Sequence, residues 1–151
     1  MASAAVINAL QTLVSRETNP ANAVVISICT IHAGEANNIV PDSVEMTGTV
    51  RTLNPADRDR MEASVKRVAA SVAEAYRCTA EITFSDYCPC MVVDKELAGN
   101  ALTYMTELLG KGAMDITPLT GGKPGGGSED FAFVSHEVPT CLLYTSPSPR
   151  D

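Results

Sequence analysis

The sequence predicts an α+β fold of the ferredoxin-like, split βαβ kind: an antiparallel sheet backed by two helices and lacking its first strand. Three observations predict it. Two stretches with helical apolar spacing, around residues 4–16 and 55–76, bracket two runs of β character. A third alternating run, Thr79 to Tyr87, follows the second helical stretch. No strand-like segment precedes the first one. Helix, strand, strand, helix, strand is the split βαβ order entered at its first helix.

In residues 4–16, Val6, Leu10, Leu13 and Val14 recur at helical spacing, and Asn19-Pro20 closes the pattern. Val24 to Ile31 is a β-branched run, long enough for a strand buried on both faces or nearly so. In the next strand Val44, Met46 and Val50 alternate with Glu45, Thr47, Thr49 and Arg51. One face should therefore be buried and the other polar, with Arg51 on the polar face. Asn54-Pro55 opens the second helix: a capping side chain, then proline where its missing N–H costs nothing. Met61, Val65, Val68, Val72 and Tyr76 form its apolar stripe, and Asp57, Arg58, Arg60, Glu62 and Arg67 read as solvated faces. In the run from Thr79 to Tyr87, the side chains of Ala80, Ile82 and Phe84 fall on one side.

After Tyr87-Cys88-Pro89-Cys90 the character changes, and a domain boundary is placed at about residue 88–91. Asp94 caps a helix carrying Leu97, Ala101, Met105 and Leu108, ended by Gly110 or Gly112. A glycine-rich run follows at 121–127. It is neither a P-loop nor a dinucleotide fingerprint. Glycines ahead of Ser128-Glu129-Asp130 fit a turn whose backbone N–H groups accept an anion from a ligand. They fit equally a loop with an acidic cap on the next helix, and composition alone favours the loop.

A chain of 151 residues has room for one domain, or for a small domain plus a fragment. Its hydrophobic share of 45% supports a packed core. The formal net charge of −7 speaks against nucleic acid, which needs a basic stripe. An RNA-binding domain of similar fold is further disfavoured by the lack of paired aromatics on the central strands. No apolar run reaches membrane-spanning length, and the N-terminus does not read as a secretory signal. Five cysteines without secretory features read as reduced thiols in the cytoplasm.

The candidate site residues sit in and around the turn between the first two strands. His32, Asn37 and Asn38 are polar groups in a stretch, Ile31 to Asp42, that is rich in Gly and Asn and closed by Pro41-Asp42. Arg51 ends the following strand. It suits a bidentate grip on a carboxylate, or equally a cross-strand pair with Glu45. His32 alone is a weak signal, and with His136 it makes no metal site. Cys88-x-Cys90 has the wrong spacing for a zinc knuckle. Cys29 and Cys141 read as small core hydrophobes.

Together these stretches resemble the two-metal peptidases and amidohydrolases of peptidase family M20. The resemblance rests on Ile31-His32-Ala33-Gly34 through Asn38-Ile39-Val40-Pro41-Asp42, followed by Gly48-Thr49-Val50-Arg51-Thr52. Gln11 to Arg16 and Gly127-Ser128-Glu129-Asp130-Phe131-Ala132 fit the same family at the right separation. It covers about residues 3–140 and is nearest the branch that hydrolyses N-acyl, hippuric and indole-acetyl amino acids.

The resemblance implies a catalytic domain with two divalent metals, zinc or manganese, interrupted by a ferredoxin-like lid that forms a homodimer. Residues 1–87 would be most of that lid, and 91–142 a helix-and-loop fragment of the α/β metallo-hydrolase domain. The family's metal ligands and general-base glutamate lie before the lid and beyond the segment at 127–132. This chain would bind no metal and be inactive by itself. What carries over is substrate binding: Asn38 and Arg51 on the substrate carboxylate, Gly127 and Ser128 lining the site beside it, with His32 as a further candidate. Residues 143–151 depart from the family and resemble translated adapter sequence, so a non-native tail is expected. The implied activity is hydrolysis of an N-acyl amino acid or similar amide, without nucleic acid or membrane partners. The alternative is a non-catalytic dimerisation module.

Overall fold

The computed structural model describes residues 1–85, 88–115 and 129–143. The glycine-rich run and nearly all of the expected tail lie outside them. Among the described residues the α-helices and strands come in the order α1 (Ala2–Ser15), β1 (Val24–His32), β2 (Glu45–Thr52), α2 (Pro55–Ala75), α3 (Lys95–Leu109) and α4 (Ala132–Ser135), with a 3-10 turn at Gly110–Gly112. The chain divides into two compact units, Met1–Tyr87 and Cys88–Asp151.

In the first unit β1 and β2 form an antiparallel two-stranded sheet running from Val24 opposite Thr52 to His32 opposite Glu45. The register slips between Ile28 and Thr30, so Cys29 is one residue too many on β1, a bulge. Gly48 lies opposite this slip. A Cβ at Gly48 would stand 2.2 Å from the Ser27 carbonyl oxygen, so only glycine fits. Val24 and Ile26 are buried, and Ile28, Met46 and Val50 pack against the same core. Val25, on the far side, is about half exposed, Ile31, opposite Met46 on the helix side beyond the slip, is about half exposed as well, and Cys29 is exposed. The expectation of a strand buried on both faces, with Cys29 in the core, is therefore corrected. Within the first unit, among the described residues, helices cover only one side of this sheet, so the apolar run has one inward set and one outward set.

The covering layer is α1 and α2. Val6, Leu10 and Leu13 from α1 meet Met61, Val65, Val68 and Ala69 from α2 over Val24 and Ile26. Leu13 and Met61 are fully enclosed, each worth about 1.5–3 kcal/mol relative to exposure. Tyr76, expected in the stripe, is instead half exposed at the helix end.

The start of α2 departs from the expectation that Asp57 is solvated: it is buried. Asn54 caps the helix, its side-chain oxygen accepting from the Asp57 N–H at 3.0 Å. The Asp57 carboxylate accepts from Asn22 (2.6 Å), Asn54 (2.8 Å) and Arg60 (2.9 Å). Arg60 also donates to the Glu17 carbonyl. These bonds replace the carboxylate's water and tie the α1–β1 connection to the head of α2. At the other end Arg77 has φ 59, in the left-handed region. The Cys78 N–H reaches the Ala73 carbonyl and the Arg77 N–H that of Glu74, the two bonds of a Schellman motif without its usual glycine.

The expected third strand is also corrected. Among the described residues, 79–85 takes no place in the sheet. Ala80 and Ile82 pack on the core while Thr79, Glu81 and Thr83 are exposed, so the alternation read from the sequence holds as far as Ile82; Phe84, expected on the same side, is exposed. Side-chain packing holds the segment without a ladder partner. Lys66 adds to this by lying 5.4 Å from the Phe84 ring centroid.

In the second unit Asp94 caps α3, accepting from the Leu97 N–H at 2.7 Å, and Gly110 ends it at φ 54. Residues 92–94 run beside Thr140, with the Asp94 N–H donating to the Thr140 carbonyl and the Thr140 hydroxyl to that of Val92.

Replacing Asp57 by Ala should lower unfolding free energy in urea by about 2–3 kcal/mol, since three donors lose their acceptor. Arg58→Ala, which removes surface ion pairs with Asp59 and Glu62, should cost less, about 0.5 kcal/mol. The hydrogen bond from Lys66 holds the Glu62 carboxyl below its ordinary range, against a smaller effect of burial and aided by the charges of Lys66 and Arg58. A lowered folded-state value means this contribution is present above the unfolded carboxyl's pKa and fades as pH falls through the folded one. Lys66→Met should move the Glu62 titration upward when followed by NMR.

Candidate functional site

Because α1 and α2 cover one side of the sheet, the other side is open. The ladder puts four residue pairs on it: Val25 with Arg51, Ser27 with Thr49, Thr30 with Thr47, and His32 with Glu45. The Thr30 and Thr47 hydroxyls share a hydrogen bond of 2.5 Å. The bulge at Cys29 absorbs one residue, which is why Thr30 and His32 join Val25 and Ser27 on this face. Without that slip they would have pointed to the helix side.

Arg51 therefore lies on the face opposite the core, across from Val25. Glu45 is not its cross-strand partner: it faces His32 at the far end, about 20 Å along the strand at ~3.3 Å per residue. Arg51 and His32 share a face but mark its two ends.

Residues 33–44 leave the sheet at the His32 end. Gly34, at φ +71, takes a left-handed turn that places its Cα side against the ring of Pro41. The Ile39 N–H then donates to the Ala36 carbonyl. His32, Asn37 and Asn38 are all exposed. One chain thus presents Asn38 and His32 at one end of the open face and Arg51 at the other. Gly127 and Ser128 lie outside the described residues.

In the second unit the polar groups bind one another. His136 Nε2 donates to the Cys90 carbonyl at 2.8 Å, and the Cys88 thiol donates to the Glu129 carbonyl. Ser135 accepts from the Val92 N–H and donates to the Ala132 carbonyl. Among the described residues no group of three or more His, Cys, Asp and Glu side chains is placed to hold a metal ion. These residues do not fit a metal centre of their own. Sequence reasoning missed the threonine pair and the facing of Glu45 by His32, because a bulge breaks the simple count along β1.

The first unit is an open-faced α+β module, one side helix-covered and the other set with hydroxyls, an arginine and a polar loop. The chain belongs to the M20 peptidases: residues 1–77 match their peptidase dimerisation domain. It is 36% identical over 141 residues to an uncharacterized hydrolase of Sinorhizobium fredii, covering 93% of this chain and 34% of that protein. It is 32% identical over 139 residues to N-acetylcysteine deacetylase of Bacillus subtilis, covering 92% of this chain and 35% of the relative. Among solved structures it superposes with TM-score 0.72 on an aminohydrolase of methicillin-resistant Staphylococcus aureus, at 27% identity, covering 91% of this chain and 34% of that one. The YXEP protein of Bacillus subtilis, described as a dinuclear metal binding peptidase of the M20 family, gives TM-score 0.69 at 29% identity, with the same coverage. The chain spans about a third of the length of the curated relatives it matches.

His32 and Asn38 stand in water on this surface. His32→Ala and Asn38→Ala should each leave the unfolding free energy within about 0.5 kcal/mol of the unaltered chain, as followed by circular dichroism in urea.

Proposed function

We propose that this chain is the lid and re-entry part of a longer metal-dependent M20 amidohydrolase that cleaves the amide of N-acyl amino acids. In this reading residues 1–87 supply dimerisation and a grip on the substrate carboxylate, and 91–142 belong to the catalytic domain. The observation that carries it is the place of Arg51, an arginine on the uncovered face of a peptidase dimerisation domain. A guanidinium there can take a carboxylate through two parallel N–H···O bonds. Asn38 supplies amide donors from the loop, with His32 beside it, and Gly127 and Ser128 supply backbone N–H groups. A relative that removes the acetyl group from N-acetylcysteine supports the substrate class.

Arg51 and the Asn38 loop stand at opposite ends of the open face. This favours a site completed by two subunits, the arginine of one meeting the asparagine of its partner. The edge of β1, which pairs with no other strand among the described residues, and the family's dimerisation domain support such a pairing. The dinuclear metal binding described for one neighbour supports two metals in the parent, held by residues outside this chain. Those metals would supply the Lewis acid and the activated water for amide hydrolysis. The residues here bind and orient the substrate's free acid, and orientation can remove a sizeable part of a barrier.

Calorimetric titration with hippurate tests the reading. The chain should bind it, and Arg51→Ala should weaken binding about tenfold, the loss of one charged hydrogen-bonded contact. Equal affinity with and without the arginine would leave a dimerisation module with no role in substrate binding, the alternative that the family's own domain description favours. Light scattering would then still show a dimer. With zinc or manganese added, the chain should show no hippurate turnover; clear turnover would contradict the assignment of the metal ligands to residues outside it.

A further inference from the structure

We draw no further inference here: the strongest candidate, the exposed apolar stripe of Leu97, Tyr104 and Leu108 along α3, is an unpartnered helix face and nothing in the structure shows what covers it.

Discussion

Everything on the open face depends on the other face being closed. Leu13 and Met61 meet at the centre of the contact between α1 and α2, both shut off from solvent. Around them Val6, Leu10, Val65, Val68 and Ala69 lay the two helices over Val24 and Ile26. A side-chain period of two then allows no freedom on the far side. If Ile26 and Val50 point at the helices, Val25 and Arg51 must point away. The arginine is aimed by the apolar residues that pack on the opposite face.

The buried carboxylate of Asp57 makes that packing specific. Two helices and a two-stranded sheet can slide on one another at little cost in apolar area. The bond from Asn22 to Asp57, and that from Arg60 to the Glu17 carbonyl, cannot be kept if they slide, because each joins the α1–β1 connection to the head of α2. An uncompensated charge in that place would cost several kcal/mol. The knot therefore fixes where α2 begins, and so where β2, which ends three residues before it, delivers Arg51.

Much of this was legible in the sequence, for physical reasons. Helix spacing in α1 and α2 and the Asn54-Pro55 start carry their own geometry, and so does the capping by Asp94. The side of Arg51 followed from alternation in β2, which is regular. β1 was misread as buried on both faces because an apolar β-branched run does not say whether one side or two will be covered, and nothing in Ser27-Ile28-Cys29-Thr30 announces the bulge that flips the later side chains. Asp57 was misread because its partners Asn22 and Asn54 are ordinary turn and cap residues until the fold brings them to one carboxylate. The run from Thr79 keeps its alternation at Ala80 and Ile82, loses it at the exposed Phe84, and takes no place in the sheet over 79–85. Pattern records which side chains turn inward, whereas a ladder needs a neighbour that pattern cannot see.

The separation of Arg51 from the Asn38 loop bears directly on what a single copy can do. Under the proposed function, a small N-acyl amino acid would be far shorter than the ~20 Å between the two ends of the strand pair, and one copy would offer each half of the proposed grip at a different place. A rigid ladder cannot bring its own ends together, and the loop's neck is drawn in by Gly34 against Pro41. Antiparallel pairing of two copies along the free edge of β1 would set the loop end of one beside the arginine end of the other, twice over, by two-fold symmetry. On this reading dimerisation and substrate binding are one property of the domain: the same strand that leaves an edge for a partner also spaces the two polar ends so that only a partner can join them.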